Sequence, residues 1–208
     1  MVIAVAAHNI AYKALPKAAC SSVKETLARI DPSVTLPPED EITTETWHAI
    51  YPTRRFFPHE WDAQSDAWRF CVIRDPAKRL MSLYNDIVAT RKMLKRSPRL
   101  RASGLPLEPD ADTFFSMLPR YRKLASVVRH HAIAAAYFLG EDLRDNYDAI
   151  YRTEDLGELA RMLSRRTGQV VTVPRRNTSR ARLKLQDLRN STIDSLRPLL
   201  EREYAYLS

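Results

Sequence analysis

Lys17 stands in the run Leu15-Pro-Lys-Ala-Ala-Cys-Ser-Ser-Val-Lys24, where one ammonium, two hydroxyls and several small residues fall between a short apolar segment and the start of a helix. Such a grouping suits the holding of an anion. The first N–H groups of a helix have no partner within the helix and the macrodipole is positive there, so a phosphate or sulfate gains hydrogen bonds and charge attraction together. Lys17 precedes that turn, Ser21 and Ser22 add hydroxyl donors, and Ala18, Ala19 and Cys20 are small enough for a ligand to reach the backbone. The same residues equally describe an ordinary strand, a lysine-bearing turn and a capped helix. All four glycines lie elsewhere in the chain, so the Gly-x-x-x-x-Gly-Lys-Ser/Thr cradle that a P-loop kinase uses is absent.

The elements that must position this run follow from periodicity. The apolar segment ends at Leu15, Pro16-Lys17 turns the chain, and Val23, Leu27 and Ile30 recur at i, i+4, i+7 as the stripe of a helix, with Ser22 and Glu25 at capping-box spacing. Residues 31–39 carry three prolines and predict an irregular connection. Residues 43–51, with Glu45, Trp47 and His48, suit a short helix or a strand end. The run 68–73 is a buried strand stopped by Arg74-Asp75-Pro76, where Asp75 can cap the next helix and Pro76 occupies its first position. In that helix Leu80, Leu83, Tyr84 and Ile87 form the buried stripe and Ser82 falls off it; the helix extends past Met93. Then come a basic, proline-rich loop over 97–109, helix over 111–139 broken near Pro119, a strand over 147–152 and a helix to about Arg166. A short strand over 170–173, a basic loop over 174–184 and one or two closing helices complete the chain. Strands alternating with helices predict an α/β fold with a mainly parallel sheet.

Composition narrows the function classes. A chain of 208 residues, 45% hydrophobic and 28% charged, fits one globular domain over 1–208. No apolar run approaches the ~20 residues that span a bilayer. Residues 1–7 are apolar but too short, and without the basic flank, for a signal peptide, so the expected location is the cytoplasm. Cys20 and Cys71 are too few for a disulfide framework and do not pair as metal ligands, so free thiols and no metal are expected. The net charge of +8 implies an anionic partner. A nucleic-acid-binding module would account for the charge, but the chain has no zinc spacing and no familiar pattern of stacking aromatics, so no nucleic-acid partner is expected.

Two segments taken together are less generic. Leu15-Pro-Lys-Ala-Ala-Cys-Ser-Ser-Val-Lys24 resembles the 5′-phosphosulfate-binding loop of Golgi-type carbohydrate sulfotransferases (sulfotransferase family 2), especially the branch acting on chondroitin, dermatan and the HNK epitope. Phe70-Cys-Val-Ile-Arg-Asp-Pro-Ala-Lys-Arg-Leu-Met-Ser-Leu-Tyr84 is similar to that family's 3′-phosphate-binding strand and helix. Residues 147–156 resemble a further strand-to-helix segment, and the Arg-Arg-Asn-Thr-Ser run at 175–179 resembles the family's cofactor-side loop. The landmarks come in the family's order. Two departures stand out: family members are membrane-anchored whereas this short chain, as a bacterial relative would be, shows no anchor, and Ala-Ile-Ala follows His131 where the family often has Pro-Gln.

The resemblance implies a P-loop NTPase-like three-layer fold, its mainly parallel central sheet flanked by helices, and transfer of a sulfuryl group from 3′-phosphoadenosine 5′-phosphosulfate to a hydroxyl-bearing acceptor, a carbohydrate above all. Because charge in such a transfer is dispersed and the moving group passes in line between two oxygens, positioning and charge stabilisation do most of the work, with no metal required. The resemblance makes Lys17 the residue that neutralises the leaving group and the backbone of Ala18, Ala19, Cys20, Ser21 and Ser22 the holder of the 5′-phosphate. It assigns Arg74 and Ser82 to the 3′-phosphate and Arg175 and Asn177 to the cofactor-side loop. His48 is the choice for the base that takes the acceptor's proton, with Glu45 and His59 as competitors, and an imidazole base would put the rising limb of activity near ~6.5. For Arg74 the alternative is a pair with Asp75; for His48 it is an ordinary place beside Trp47.

Overall fold

The computed structural model describes residues 2–174 and 183–208. Among them the chain forms, in order, β1 (Ile3–Val5), β2 (Ile10–Lys13), α1 (Cys20–Ile30), α2 (Thr44–Ile50), α3 (Pro58–Asp62), β3 (Trp68–Ile73), α4 (Pro76–Leu83), α5 (Pro98–Arg101), α6 (Ala111–Ser116), α7 (Leu118–Leu124), α8 (Ser126–Ala132), α9 (Ala136–Leu139), α10 (Leu143–Asn146), β4 (Ala149–Arg152), α11 (Leu156–Thr167) and α12 (Asn190–Leu207). They fall into two compact units, residues 2–73 with 135–174 and residues 74–134 with 183–208. No helix among the described residues is long and apolar enough to cross a membrane.

The first unit holds a four-stranded sheet in the order β1-β2-β3-β4, with β1 antiparallel to β2 and the other pairs parallel. Lys13 lies opposite Cys71 and Ile73 opposite Arg152, so β2, β3 and β4 all end on one edge. Every residue of β2 is buried, as are Phe70 to Ile73 of β3, which is the burial that parallel strands covered on both faces require. Tyr12 and Trp68 both stack on Phe70, at centroid distances of 4.9 and 4.8 Å, and α1 adds Val23, Leu27 and Ile30 while α11 adds Leu156, Leu159 and Leu163. The mixed α/β class and mainly parallel sheet expected from the sequence are present.

Local details differ. The apolar start of the chain is a strand, β1, with Ile3 and Val5 turned inward. Residues 170–173 are not a strand: Val170 is exposed, and the segment is tied instead by the Val171 N–H donating to Ser164 Oγ at 2.9 Å. α1 begins at Cys20, two residues before the expected cap. Its N-cap is Ala19, so Ser22 lies inside the first turn, and Glu25 is an acceptor for Arg29 one turn later at 3.4 Å.

The second unit is helical. Asp75 caps α4 by accepting the Lys78 N–H at 2.8 Å, with Pro76 next, and Leu80, Leu83 and Ile87 are buried with Phe114, Phe115 and Tyr121. After Leu83 the helix widens into a π-helical stretch, Tyr84–Thr90, and Lys92 at φ 48° ends it. The segment 111–139 is divided at Met117, Ala125 and Ile133, and α5 interrupts what the sequence presents as a loop over 97–109. Deep in this unit Arg79 Nη2 donates to Glu203 Oε2 at 2.7 Å and to the Ile133 carbonyl at 3.0 Å. Burial pushes the Arg79 guanidinium below its ordinary range, with Glu203 opposing, and its Nη1 has no hydrogen-bond partner among the described residues.

Candidate active site

The loop leaving β2 makes its turn without glycine. The Ala18 N–H closes back on the Leu15 carbonyl at 3.2 Å, and Lys17 and Ala19 both take left-handed backbone angles, φ 66° and 56°. For residues with a β-carbon that conformation costs roughly 1–2 kcal/mol each. It persists only where the surroundings enforce it, and such strain gathers at functional sites. A left-handed residue followed directly by helical ones turns successive N–H groups into one concavity, which is a shape that receives anions. Ala19 followed by Cys20 is that junction, and α1 adds its dipole. Lys17 and Ser21 are half-buried beside it, whereas Ala18, Cys20 and Ser22 are buried. Replacing Ala19 by glycine should therefore raise stability by about 0.5–1 kcal/mol, the relief of strain less the entropy glycine loses on folding. Urea denaturation checks this; a loss of stability would mean that the Ala19 methyl packs favourably.

α2 brings His48 to this helix. Thr43 and Thr46 form a capping box at its start, the Thr43 N–H donating to Thr46 Oγ1 at 3.0 Å. Trp47 is buried, with the Arg29 guanidinium 5.5 Å from its ring centroid, and the Tyr51 hydroxyl donates to Asp31 Oδ2 at 2.6 Å. Burial raises the Asp31 carboxyl, but hydrogen bonds from the Ser33 and Tyr51 hydroxyls and the Ser33 amide outweigh it and hold the carboxyl below its usual range. With α2 anchored to α1 in this way, both ring nitrogens of His48 meet α1: Nε2 lies 3.0 Å from Ser21 Oγ and Nδ1 lies 3.0 Å from Lys24 Nζ. Lys24 also donates to Thr53 Oγ1 at 2.6 Å, and burial, opposed by the nearby Cys20 thiol, lowers its pKa to about 8. A second buried lysine, Lys13, donates to the Arg55 carbonyl at 2.9 Å and is likewise pushed down to about 8, Glu60 opposing.

The competitors sit differently. Glu45 is exposed one turn before His48, and His59 is exposed on α3, its ring 5.8 Å from that of Phe57. In the second unit Arg74 directly follows the last residue of β3 and is half-buried, as is Ser82 in the last turn of α4. The Asp75 carboxylate receives the Lys78 N–H and, at 2.8 Å, the Tyr204 hydroxyl. Arg175 and Asn177 lie outside the described residues.

A family model described as the sulfotransferase family, of the family 2 type, matches residues 2–207. The chain belongs to that family. No curated protein and no solved structure matches it significantly. A sulfotransferase transfers a sulfuryl group, and membership supports an enzyme of that kind in general. In this sulfotransferase the strained loop and His48 are brought together through Ser21. Lys24 is the residue that the sequence did not single out, although it shares a helix face with Ser21 at i, i+3.

Proposed function

We propose that this sulfotransferase takes its sulfuryl group from 3′-phosphoadenosine 5′-phosphosulfate and delivers it to a hydroxyl of a carbohydrate or glycolipid-like acceptor. The observation that carries this reading is the glycine-free loop, where two left-handed residues place Lys17 and a fan of N–H groups at the start of α1 with His48 one hydrogen bond away. The family match runs across both compact units, which supports one sulfotransferase domain over 1–208 on a P-loop-like three-layer fold.

The donor supplies an activated sulfuryl group on a phosphate leaving group, and the chain's residues supply the rest. The N–H groups of Ala18 to Ser22 fit the 5′-phosphate, and Lys17 adds positive charge where the leaving group becomes more anionic. Arg74 offers a bidentate fork and Ser82 a hydroxyl for the 3′-phosphate, and the resemblance assigns Arg175 and Asn177 to the cofactor as well. His48 takes the acceptor's proton. No residue here needs a metal to do its part.

Binding of the spent donor tests the first half of the reading. Adenosine 3′,5′-bisphosphate should raise the melting temperature in a saturable way, since a ligand bound only by the folded state stabilises it, and AMP should do much less. Arg74→Ala should erase most of that difference by weakening the bisphosphate about 30-fold or more, the effect of losing one partner of a buried charge pair. Equal shifts with both nucleotides would refute a 3′-phosphate site. Incubation with labelled donor and a panel of glycans, read by mass spectrometry for added sulfate, tests the acceptor class.

A further inference from the structure

We propose that Lys24 is a positioning residue that decides when Nε2 of His48 can accept a proton. The inference rests on the reading of His48 as the base and adds to it a partner on the opposite side of the ring. Among the described residues, Ser21 lies within hydrogen-bond distance of Nε2 of His48 and Lys24 of Nδ1, and this pair of contacts sets the ring's protonation pattern. A charged Lys24 can only donate, so at 3.0 Å it occupies the Nδ1 lone pair, and the single ring proton must then reside on Nε2, where it points to Ser21 Oγ. In that state His48 has no lone pair to offer an acceptor hydroxyl. It cannot take a second proton either, because both nitrogens are engaged and an ammonium lies next to the ring.

Loss of one proton from Lys24 changes both conditions. A neutral amine can accept, so the ring proton can move to Nδ1 and donate to Lys24 Nζ, which leaves the Nε2 lone pair free. When the acceptor hydroxyl gives its proton to Nε2, the Nδ1 proton can pass to the amine; the ring ends neutral and Lys24 ends as the ammonium. The proton is conserved along the line from acceptor to His48 to Lys24, and solvent restores the amine in the next cycle. Lys24 is suited to the task by its place. It is fully buried, it also donates to the Thr53 hydroxyl at 2.6 Å, and burial brings its pKa down to about 8, within reach of ordinary pH. The groups facing it are the Cys20 thiol on its own helix, His48 on α2 and Thr53 on the loop beyond. Glu45, the carboxylate nearest in sequence on α2, is exposed one turn from His48.

The sign of the pH dependence follows. Activity should rise as Lys24 loses its proton, through an apparent value near 8 that belongs to the Lys24–His48 pair, and not near the ~6.5 of an isolated imidazole. Two measurements test this. The first needs no activity: ¹⁵N-labelled histidine in the wild-type protein should show His48 as the Nε2–H form below about pH 7 and as the Nδ1–H form above the Lys24 transition. An unchanged ring across that transition, or an Nδ1–H form at low pH, overturns the proposal. The second is kinetic. Lys24→Met should keep affinity for adenosine 3′,5′-bisphosphate and move the rising limb down by a unit or more, whereas Lys24→Arg, which cannot deprotonate, should lower turnover at least about 10-fold at all pH values up to 9. A limb that stays near 8 in Lys24→Met overturns the proposal, even if turnover falls. If the ring changes form as expected but His48→Ala retains turnover, the coupling stands and the base assignment fails, so the two readings are separable.

Discussion

Lys17→Ala is expected to lower turnover by about 10²–10³-fold and also to weaken binding of adenosine 3′,5′-bisphosphate. The size is that of losing one preorganised group that stabilises charge developing in a transition state. Alanine is the right replacement because it keeps a β-carbon at φ 66°, so the loop's conformational strain is unchanged and only the ammonium is lost. Glycine there would relieve strain and confuse the comparison. His48→Ala should fail in another way, with a loss of ~10²–10⁴ in turnover and donor affinity near wild type, because it removes proton transfer alone. Steady-state kinetics with calorimetry on the same variants reads both. If Glu45→Gln or His59→Ala abolishes turnover without harming donor binding while His48→Ala does not, the base lies with that residue.

Glu203→Ala should destabilise the protein by about 3–5 kcal/mol, because it strands the buried Arg79 guanidinium without its carboxylate. Arg79 is 2% exposed, so water cannot stand in for the missing partner. For a chain of this size the shift in melting temperature is on the order of 10 °C. Replacing both partners by apolar residues, Arg79→Met with Glu203→Leu, should recover most of the loss, since no charge is then left buried. Urea unfolding of the three proteins checks the pattern. A loss in the double variant as large as in the single one would show that Arg79 also does work through its contact with the Ile133 carbonyl.

The parts of the fold that local pattern controls were legible. Val23, Leu27 and Ile30 mark α1, Asp75-Pro76 marks the start of α4, and the apolar run at 68–73 marks β3, because each depends on residues a turn or less apart. The mainly parallel sheet was legible from the alternation of strands and helices, but its antiparallel edge was not. β1 is three residues long, too short to show a period, and exists because β2 supplies its hydrogen bonds. The start of α1 was misplaced because Ser22-x-x-Glu25 has the spacing of a cap, while the true start is a left-handed Ala19 that no glycine announces. The contacts that His48 makes depend on where α2 lies, and that is set by a buried Trp47 and by the Tyr51–Asp31 hydrogen bond, 20 positions apart in the chain. Lys24 escaped for the same reason: its partners come from α2 and from Thr53.

The two compact units are each assembled from separate stretches of chain, so β3 and β4, which pair in one unit, are separated in sequence by 74–148, most of which belongs to the other. On the ribosome β3 must wait for that whole stretch to be synthesised before its partner appears. The wait costs little at equilibrium, since loop-closure entropy grows only by about 0.6 kcal/mol for each doubling of length. It matters for kinetics, because pairing between distant segments slows folding. Until β4 arrives, the row of N–H and C=O groups on that side of β3 stands open as a sheet edge, and such edges invite pairing with other chains. Aggregation during synthesis should therefore respond to how quickly the 74–148 stretch collapses, even though that stretch contributes no strand to the sheet.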